Sequence, residues 1–465
     1  MHFPSAFSLF ISEKKTARQL TNFMISGIMD RIVRKGGRCL MRCLLKGGQV
    51  YQGGSFFSAD VAVEGGRVAD ISSVIAPREG DRVFDFSHCF LVPGFVDVHV
   101  HLREPGFIYK ETVETGCRAA ARGGYTTICP MPNLNPAPDT PDHLQLQLTA
   151  IEKGACIEAL PYGCITLGQK GRGELVDFEA LAPHVCGFSD DGKGVQEEGL
   201  MEEAMKRIQK TGKILAAHCE DESLLRGGYI HDGPYARAHG HRGICSESET
   251  AQVKRDLELV KKTGCRYHVC HVSAKETVWA IREAKRQGVD VTCETAPHYL
   301  LMTDMDLKEE GRFKMNPPIR EEADRDALLQ GILDGTIDMI ATDHAPHSLE
   351  EKGRGLEKSL MGVVGLECAF QMLYTHLVQE KKMLTLEKLV QLMAIAPRQR
   401  FSIQGGLEKG MRADIAVIDP RIRGTVQPDT FLSMGRATPF EGWHYQGDIV
   451  LTLANGEIVY QKELI

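Results

Sequence analysis

The sequence predicts an α/β protein: a (β/α)8 TIM-type barrel with a small β-sandwich domain built from both termini. Three observations predict this fold. Eight short apolar runs alternate with helix-like segments between residues 95 and 404, glycine-rich hairpin-like sequence flanks that region on both sides, and His and Asp residues follow the apolar runs. Strands that alternate with helices in this number favour a parallel barrel over an open sheet.

The two ends of the chain share one pattern. Residues 41–94 contain alternating runs broken by glycine pairs, as in LLKGGQVYQGG from Leu44, and residues 405–465 repeat the pattern in DIVLTLANGEIVYQ from Asp448. Asn455-Gly456 is a tight-turn signal within the second run. Isolated hairpins are marginally stable, so we expect both ends to build one β domain beside a barrel of residues 95–404.

Residues 1–40 differ from the rest of the chain, because they are rich in Lys and Arg and contain only Glu13 and Asp30 as acids. We interpret them as a loosely ordered N-terminal extension upstream of the strand-like sequence that begins near Met41. A weak organelle-targeting peptide is the alternative.

Each predicted strand is a short apolar run, and the predicted helices have apolar residues at helical spacing and end at glycine. The strands are FVDVHVH from Phe95, TTICPM from Thr126, IEALPYG from Ile157, CGFSD from Cys186, KILAAH from Lys213, RYHVCH from Arg266, DVTCET from Asp290 and IDMIAT from Ile337. The helices include ETVETGCRAAARGG, EEGLMEEAMKRIQKTG, SESETAQVKRDLELVKKTG and AKETVWAIREAKRQG.

Composition favours a protein that acts on small molecules. The net charge is −7, from 62 acidic and 55 basic residues spread along 465 positions, so neither nucleic acid nor an anionic membrane is an expected partner. No apolar run approaches the roughly 20 residues of a membrane helix. The 14 cysteines form no CxxC pair, and we expect reduced thiols in a cytoplasmic protein.

The stretch GFVDVHVHLREPG, from Gly94, places two histidines on one strand. Asp97, His99 and His101 alternate with three valines, which predicts the polar side chains on one face and the valines against the surrounding helices. Buried imidazoles are costly where a barrel holds aliphatic side chains, and a bound metal would remove that cost. A hydrogen-bonded structural histidine is the alternative for any single position.

Similar side chains end four other predicted strands: Asp190 and Asp191, His218, His271, and Asp343. The C-terminal ends of barrel strands converge, so the sequence predicts a metal site there. Six ligand-type groups exceed what one tetrahedral zinc needs, which favours two ions bridged by hydroxide and a hydrolytic reaction or its reverse.

Spacing leaves several assignments open. It does not separate Asp190 from Asp191, and it leaves His344 and His347 as further candidates. His268 shares a strand with His271 but lies earlier in it, so we expect His268 to be structural or to face outward.

At this point the motifs resemble those of dihydroorotases, within the amidohydrolase superfamily. The motifs GFVDVHVHLREPG, MPNLNP, FSDDG, AAHCED, HVCHVS, FKMNPPIR, IATDHAPH and TPFEG occur in the order found in that family, from about Met41 to the C-terminus. They are most similar to the bacterial type in which an aspartate, and not a carbamylated lysine, bridges two zinc ions. Lys193 is a remote alternative bridge.

The resemblance implies a role for each matching position. His99 and His101 would bind one Zn²⁺, His218 and His271 the other, and Asp191 would bridge them together with hydroxide. Asp343 would hold the first metal and act as the catalytic proton shuttle. The residues implied in substrate binding are His101, Arg103, Asn133, Asn316, His347, Met361 and Gly362.

Two positions depart from the family pattern. Leu134 stands where a threonine is usual, and Leu360-Met361 stands where Pro-Phe is common. The second change lies in the predicted substrate loop, so it concerns substrate fit more than chemistry.

The implied reaction is the reversible, zinc-dependent cyclisation of N-carbamoyl-L-aspartate to L-dihydroorotate in de novo pyrimidine biosynthesis. Arg103 is the discriminating residue, because dihydroorotate carries a carboxylate that a guanidinium binds with two charge-assisted bonds. A surface pair with Glu104 is the alternative for Arg103.

Two alternatives remain for the whole protein. One is another cyclic amidohydrolase, hydantoinase- or dihydropyrimidinase-like or allantoinase-like. The other is a noncatalytic scaffold partner of aspartate transcarbamoylase. We expect a homodimer, with an association with aspartate transcarbamoylase as a further partner expectation.

Overall fold

The structure, a computed structural model, describes residues 41–463, and the predicted extension of residues 1–40 lies outside this range. Nineteen strands occur in the described chain. They are β1 Cys43–Gln52, β2 Ser55–Glu64, β3 Arg67–Ser72, β4 Arg82–Asp85, β5 Phe90–Pro93, β6 Phe95–Val100, β7 Tyr125–Pro130, β8 Glu158–Ala159, β9 Tyr162–Gly163, β10 Gly187–Phe188, β11 Ile214–Ala217, β12 Ile230–His231, β13 Gly243–Ile244, β14 Arg266–Val269, β15 Val291–Thr295, β16 Met339–Ile340, β17 Ile415–Thr425, β18 His444–Ala454 and β19 Glu457–Gln461.

Both ends of the described chain contribute to one eight-stranded sheet. Its order is β19-β18-β17-β5-β1-β2-β3, with β4 beside β1. Strand β5, from the first half of the chain, pairs antiparallel with β17, from the second half. This pairing confirms that the two ends build one sheet together, and the apolar faces of both contribute to a common cluster that includes Leu45, Val61, Val417 and Leu451.

All eight strands predicted for the central region are present and pair in parallel. The third is split at Leu160-Pro161, so that β8 pairs with β7 and β9 with β10. Parallel pairing then runs from β10 through β11, β14 and β15 to β16. After β16, His344 forms a parallel bridge with Val100, so the chain beyond the last strand returns to the end of β6.

The four helices named from the sequence occur where apolar spacing predicts them, at Val113–Arg122, Glu198–Thr211, Glu247–Thr263 and Lys275–Arg286. In Glu198–Thr211 the buried residues Met201, Ala204, Met205 and Ile208 share one face. This helix ends at Gly212, whose φ of 72° suits a residue without a side chain.

Ten further α-helices occur among the described residues, and most of them are short. They are Pro141–Gly154, Phe178–Leu181, Pro234–His239, Pro297–Leu301, Glu322–Asp334, Leu349–Lys352, Gly355–Lys358, Ala369–Leu373, Leu386–Val390 and Ala396–Phe401. Wider π-helical turns at Tyr374–Glu380 and Gln391–Ile395 continue two of them.

The expectation that all three valines of β6 face the helices is wrong. Val96 and Val98 pack in a cluster with residues of the other parallel strands, such as Ile214 and Met339, whereas Val100 belongs to a different cluster. The register between β6 and β7 shifts between Asp97 and Val100. A bulge of this kind reverses the alternation of a strand, and the sequence pattern alone does not show it.

The 13 cysteines among the described residues are all free, as predicted. Within residues 41–463 no helix is long and apolar enough to cross a membrane.

Arg412 connects the terminal sheet to the parallel strands. Its two Nη atoms each lie 2.8 Å from an oxygen of Glu158 in β8, and its Nε donates to Asp414 at 2.8 Å. Its side chain is 23% exposed. A largely buried, bidentate pair of this kind stabilises strongly only while both partners remain.

We predict that Arg412→Ala lowers the free energy of unfolding by about 2–4 kcal/mol, because it leaves two carboxylates without their cation. Urea denaturation followed by circular dichroism would measure this. Arg207→Ala is the matched control, since Arg207 pairs with Glu203 where both side chains are about half exposed, and it should leave the midpoint nearly unchanged. Equal effects from the two substitutions would contradict the prediction.

Candidate metal centre

The carboxylate of Asp191 lies among four buried histidines. Its Oδ1 is 3.3 Å from His99 Nε2, 3.5 Å from His271 Nε2 and 3.7 Å from His218 Nδ1. Its Oδ2 is 3.7 Å from His101 Nε2. Burial by itself would raise the pKa of Asp191, but the surrounding histidines, His99 first, hold it well below its usual range.

Asp343 completes the cluster from the chain that follows β16. Its Oδ1 is 3.1 Å from His101 Nε2 and 3.6 Å from His99 Nε2. His218 Nδ1 lies 2.9 Å from His271 Nε2. The structure therefore brings together all six side chains that the sequence proposes as ligands.

These side chains fit a metal. His99 Nε2, His218 Nε2 and Asp191 Oδ1 are buried without a hydrogen-bond partner, and such an atom costs about 1–3 kcal/mol. The ligand atoms of His99, His101 and Asp343 lie within 4.8 Å of one another, as do those of His99, Asp191 and His271. Imidazole nitrogens and carboxylate oxygens are the donors that suit zinc.

The structure separates Asp190 from Asp191, which spacing did not. Asp190 accepts hydrogen bonds from the backbone N–H groups of Ile165 at 2.7 Å and Gly171 at 3.2 Å, and from Thr166. It is thus occupied in holding the loop after β9, while Asp191 points to the histidines. Lys193 is exposed, unlike the six buried side chains of the cluster, which disfavours it as an alternative bridge.

Glu294, at the end of β15, orients the histidine at the middle of the cluster. One of its oxygens lies 2.8 Å from His99 Nδ1, and the other lies 3.0 Å from His268 Nε2. Burial opposes its ionisation, but the bonds from His268 and His99 lower the pKa of Glu294 to about 2. A carboxylate on Nδ1 keeps the proton there and leaves Nε2 as the ligand atom. Of the two expectations for His268, the structural one is confirmed, because the ring is buried between Thr292 and Glu294.

Asn133 bridges two of the proposed ligands. Its Oδ1 lies 2.6 Å from His101 Nδ1, and its Nδ2 donates to Asp191 Oδ2 at 3.0 Å. Asn133 therefore orients the cluster in this structure, and its contact with substrate stays a prediction.

Three residues of the site have a left-handed backbone. The φ angles are 60° at Arg103, 33° at His271 and 48° at Asp343. Residues other than glycine rarely adopt such angles, and they concentrate at functional sites where the surrounding structure holds them.

The residues proposed to bind substrate lie beside the cluster. Arg103 is buried, and its Nε donates to the Pro346 carbonyl at 3.1 Å. Burial lowers the pKa of Arg103 to about 10, which leaves it charged at neutral pH. The alternative surface pair with Glu104 is wrong, because the Glu104 carboxylate accepts the Val113 N–H instead.

Asn316 donates from Nδ2 to Glu220 at 2.8 Å, and its buried Oδ1 has no partner. His347 Nε2 lies 2.8 Å from the Met361 carbonyl, so it contacts the predicted substrate loop directly. Gly362 has a φ of 133°, and a side chain there would lie 2.7 Å from the Ala345 carbonyl. His344 is buried and faces Glu111 at 3.4 Å, away from the six ligands.

Known proteins match this chain over most of its length. A family model described as dihydro-orotase-like matches residues 89–277. The dihydroorotase of Geobacillus thermodenitrificans is 47% identical over 427 residues, which are 91% of this chain and 99% of that protein. The chain belongs to the dihydroorotase family. The dihydroorotases of Fusobacterium nucleatum and Staphylococcus aureus are 49% and 46% identical, each over 90% of this chain and 98% and 99% of their own lengths.

Solved structures of amidohydrolases share the fold of this dihydroorotase family member. The L-hydantoinase from Arthrobacter aurescens superposes with a TM-score of 0.82 at 28% identity, covering 91% of this chain and 97% of that one. The dihydropyrimidinase from Brevibacillus agri gives a TM-score of 0.78 at 23% identity, covering 90% and 95%.

Sequence reasoning missed Glu294 and Glu220. Both are carboxylates at strand ends, in DVTCET and AAHCED, and that position was the available signal. Spacing could not distinguish a carboxylate that holds a ligand from one that is a ligand.

We predict that Glu294→Ala weakens zinc binding by about 10- to 100-fold, because His99 loses the acceptor that fixes its ring. Competition with a chromogenic chelator would measure the affinity. Glu294→Gln keeps an acceptor oxygen and should lose less. Unchanged affinity in the Ala variant would show that Glu294 does not orient a ligand.

Proposed function

We propose that this protein is a dihydroorotase, which interconverts N-carbamoyl-L-aspartate and L-dihydroorotate in de novo pyrimidine biosynthesis. The observation that carries the proposal is a buried guanidinium, Arg103, next to a cluster of four histidines and two aspartates. The family's relatives, at 45–49% identity, support the same reaction.

We propose two Zn²⁺ per subunit, held by His99 and His101, by His218 and His271, and by Asp343, with Asp191 as the bridge. When bound, such ions supply a nucleophilic hydroxide near neutral pH and polarise the carbonyl that is attacked. The unpartnered nitrogens and oxygen of the cluster support this assignment.

Asp343 is the proposed proton carrier. In the hydrolytic direction its carboxylate takes the proton of the attacking water and delivers it to the ring nitrogen that leaves. In the direction of ring closure the same oxygen takes the proton from the attacking nitrogen. Its place beside His101, on a strained backbone, supports this role.

Arg103 is the proposed recognition group for the substrate carboxylate. Its Nε is held by the Pro346 carbonyl, and within residues 41–463 its two Nη groups have no hydrogen-bond partner that would compete with the substrate. Asn133, Asn316, His347 and the backbone of Met361-Gly362 line the same space in this proposal.

We also infer that the parallel strands close into a (β/α)8 barrel of residues 95–404, supported by the bridge between Val100 and His344. The remaining domain boundaries, the sandwich packing of the terminal sheet, a cytoplasmic location, a homodimer and an association with aspartate transcarbamoylase stay predictions.

The reaction is tested by an activity panel. Zinc-loaded protein should turn over dihydroorotate faster than dihydrouracil, hydantoin or allantoin, because only dihydroorotate offers Arg103 a carboxylate. Higher turnover of hydantoin or dihydrouracil would favour the hydantoinase-like alternative, which the structural similarity to an L-hydantoinase supports as the second candidate. Protein that binds no zinc and turns over none of them would support a scaffold.

We predict that Arg103→Ala lowers kcat/KM for dihydroorotate at least tenfold, about 1.4 kcal/mol, since two charge-assisted bonds are lost. Hydantoin, which lacks the carboxylate, is the control substrate and should be affected far less. An equal loss on both substrates would remove Arg103 from carboxylate recognition.

We predict that Asp343→Asn gives a folded protein that still binds metal but is nearly inactive, because an amide cannot carry the proton. Metal analysis and steady-state rates measure the two properties together. Normal turnover would refute the proposed proton transfer.

A further inference from the structure

Lys110 is a buried cation beside the site that the proposed mechanism does not use. It lies in the loop after β6 and is 9% exposed. Its Nζ is 3.0 Å from Glu351 Oε1 and 3.1 Å from His347 Nδ1. A buried ammonium needs a counter-charge, and Glu351 supplies it. The contact with His347 is therefore not needed to compensate the charge of Lys110.

The partners of His347 select one tautomer of its ring. An ammonium only donates, so Nδ1 must accept from Lys110, and a carbonyl only accepts, so Nε2 must carry the hydrogen that faces Met361. Both contacts therefore require a neutral ring protonated at Nε2.

The charges around His347 keep the ring neutral. Arg103 and Lys110 face it as cations, and the Glu351 carboxylate lies 3.6 Å from its Nδ1. Burial first, and then Arg103 and Lys110, lower the pKa of His347 to about 3. The ring is thus a neutral donor throughout the range in which enzymes of metabolism work.

We propose that Lys110 is a positioning residue that holds His347 in the Nε2–H tautomer, so that the ring always offers a hydrogen to the substrate carboxylate. The proposal rests on the proposed function. A carboxylate and the Met361 carbonyl are both acceptors, so one tautomer serves the site before and after substrate binds. The opposite tautomer would direct a lone pair at the carboxylate and weaken binding.

The kinetic test compares Lys110→Met, His347→Gln and the double variant. Lys110→Met should raise KM for dihydroorotate about tenfold, with kcat within about threefold, because binding is lost in the ground and transition states alike. A glutamine at position 347 offers an amide N–H without help from Lys110. In that background, Lys110→Met should therefore change KM less than twofold.

Multiplicative effects of the two substitutions would overturn the proposal, since Lys110 would then act independently of His347. Lys110→Arg keeps a donor and should restore most of the affinity. Lys285→Met is the matched control: this ammonium bonds to Asp338 at 2.6 Å and to the Thr336 carbonyl at 2.8 Å, outside the site, and its loss should leave KM unchanged.

A spectroscopic test does not depend on turnover. In ¹⁵N-histidine-labelled protein, signals of His347 are those absent from His347→Gln. In the wild type they should report an unprotonated Nδ1 and a protonated Nε2 from pH 8 to about pH 5, although a free imidazole titrates near 6.5. In Lys110→Met the ring should take up a proton, or mix tautomers, within that range.

A wild-type ring that carries its hydrogen on Nδ1, or is charged at pH 7, would overturn the proposal even in an active enzyme. A wild type that does not turn over dihydroorotate contradicts the proposed function instead, and the spectra decide the tautomer in that case too. If Lys110→Met does not fold, His347→Gln should retain more affinity than His347→Asn, whose amide mimics Nδ1, and the reverse order would overturn the proposal.

Discussion

The burial of Asp191 among four histidines is the constraint on which the rest of the site depends. A carboxylate removed from water is costly unless charge and hydrogen bonds compensate. Here the compensation comes from side chains at the ends of different strands, so the carboxylate is stable only when β6, β11 and β14 end at the same level. The alignment of the parallel strands and the stability of the buried carboxylate therefore depend on each other.

A second layer of polar groups makes this arrangement rigid. Glu294 and Asn133 hold the Nδ1 sides of His99 and His101, which leaves both Nε2 atoms directed at the centre. Asp97 accepts from the backbone N–H and the hydroxyl of Thr342, the residue before Asp343. In this way the first and last parallel strands are joined at the level of the proposed ligands, and the strained backbone of Asp343 is supported from β6.

The recognition side of the site is governed by charge. Arg103 and Lys110 are cations in a region of low exposure, and Glu351 is the acidic partner closest to Lys110. An excess of positive charge in a partly desolvated space favours an anionic substrate more strongly than the same charges would on the surface. The neutral state of His347 follows first from its burial and then from these cations, which would repel a further positive charge.

Much of the fold and of the proposed ligand set could be predicted from the sequence, because local pattern carries the information. Apolar runs and glycine ends gave the strands and four helices at nearly their observed places, and the ligand types at the strand ends identified the six side chains that converge. The bulge in β6 could not be predicted, because Val98 and His99 alternate normally in the sequence and only pairing with β7 reveals the shift. Spacing also treated Asp190 and Asp191 as equivalent, because the hydrogen-bond partners that distinguish them lie in other segments of the chain.

The sequence by itself determined which residue types meet at the carboxyl ends of the parallel strands, and hence a centre of imidazoles and carboxylates. Only the tertiary structure decided which carboxylate enters it: Asp190 turns to the backbone of the loop after β9, and Asp191 to the histidines. It likewise showed that Glu294 supports a ligand and that Lys110 contacts His347. These arrangements depend on hydrogen-bond partners that lie tens to hundreds of residues away in the sequence, so a local sequence pattern cannot predict them.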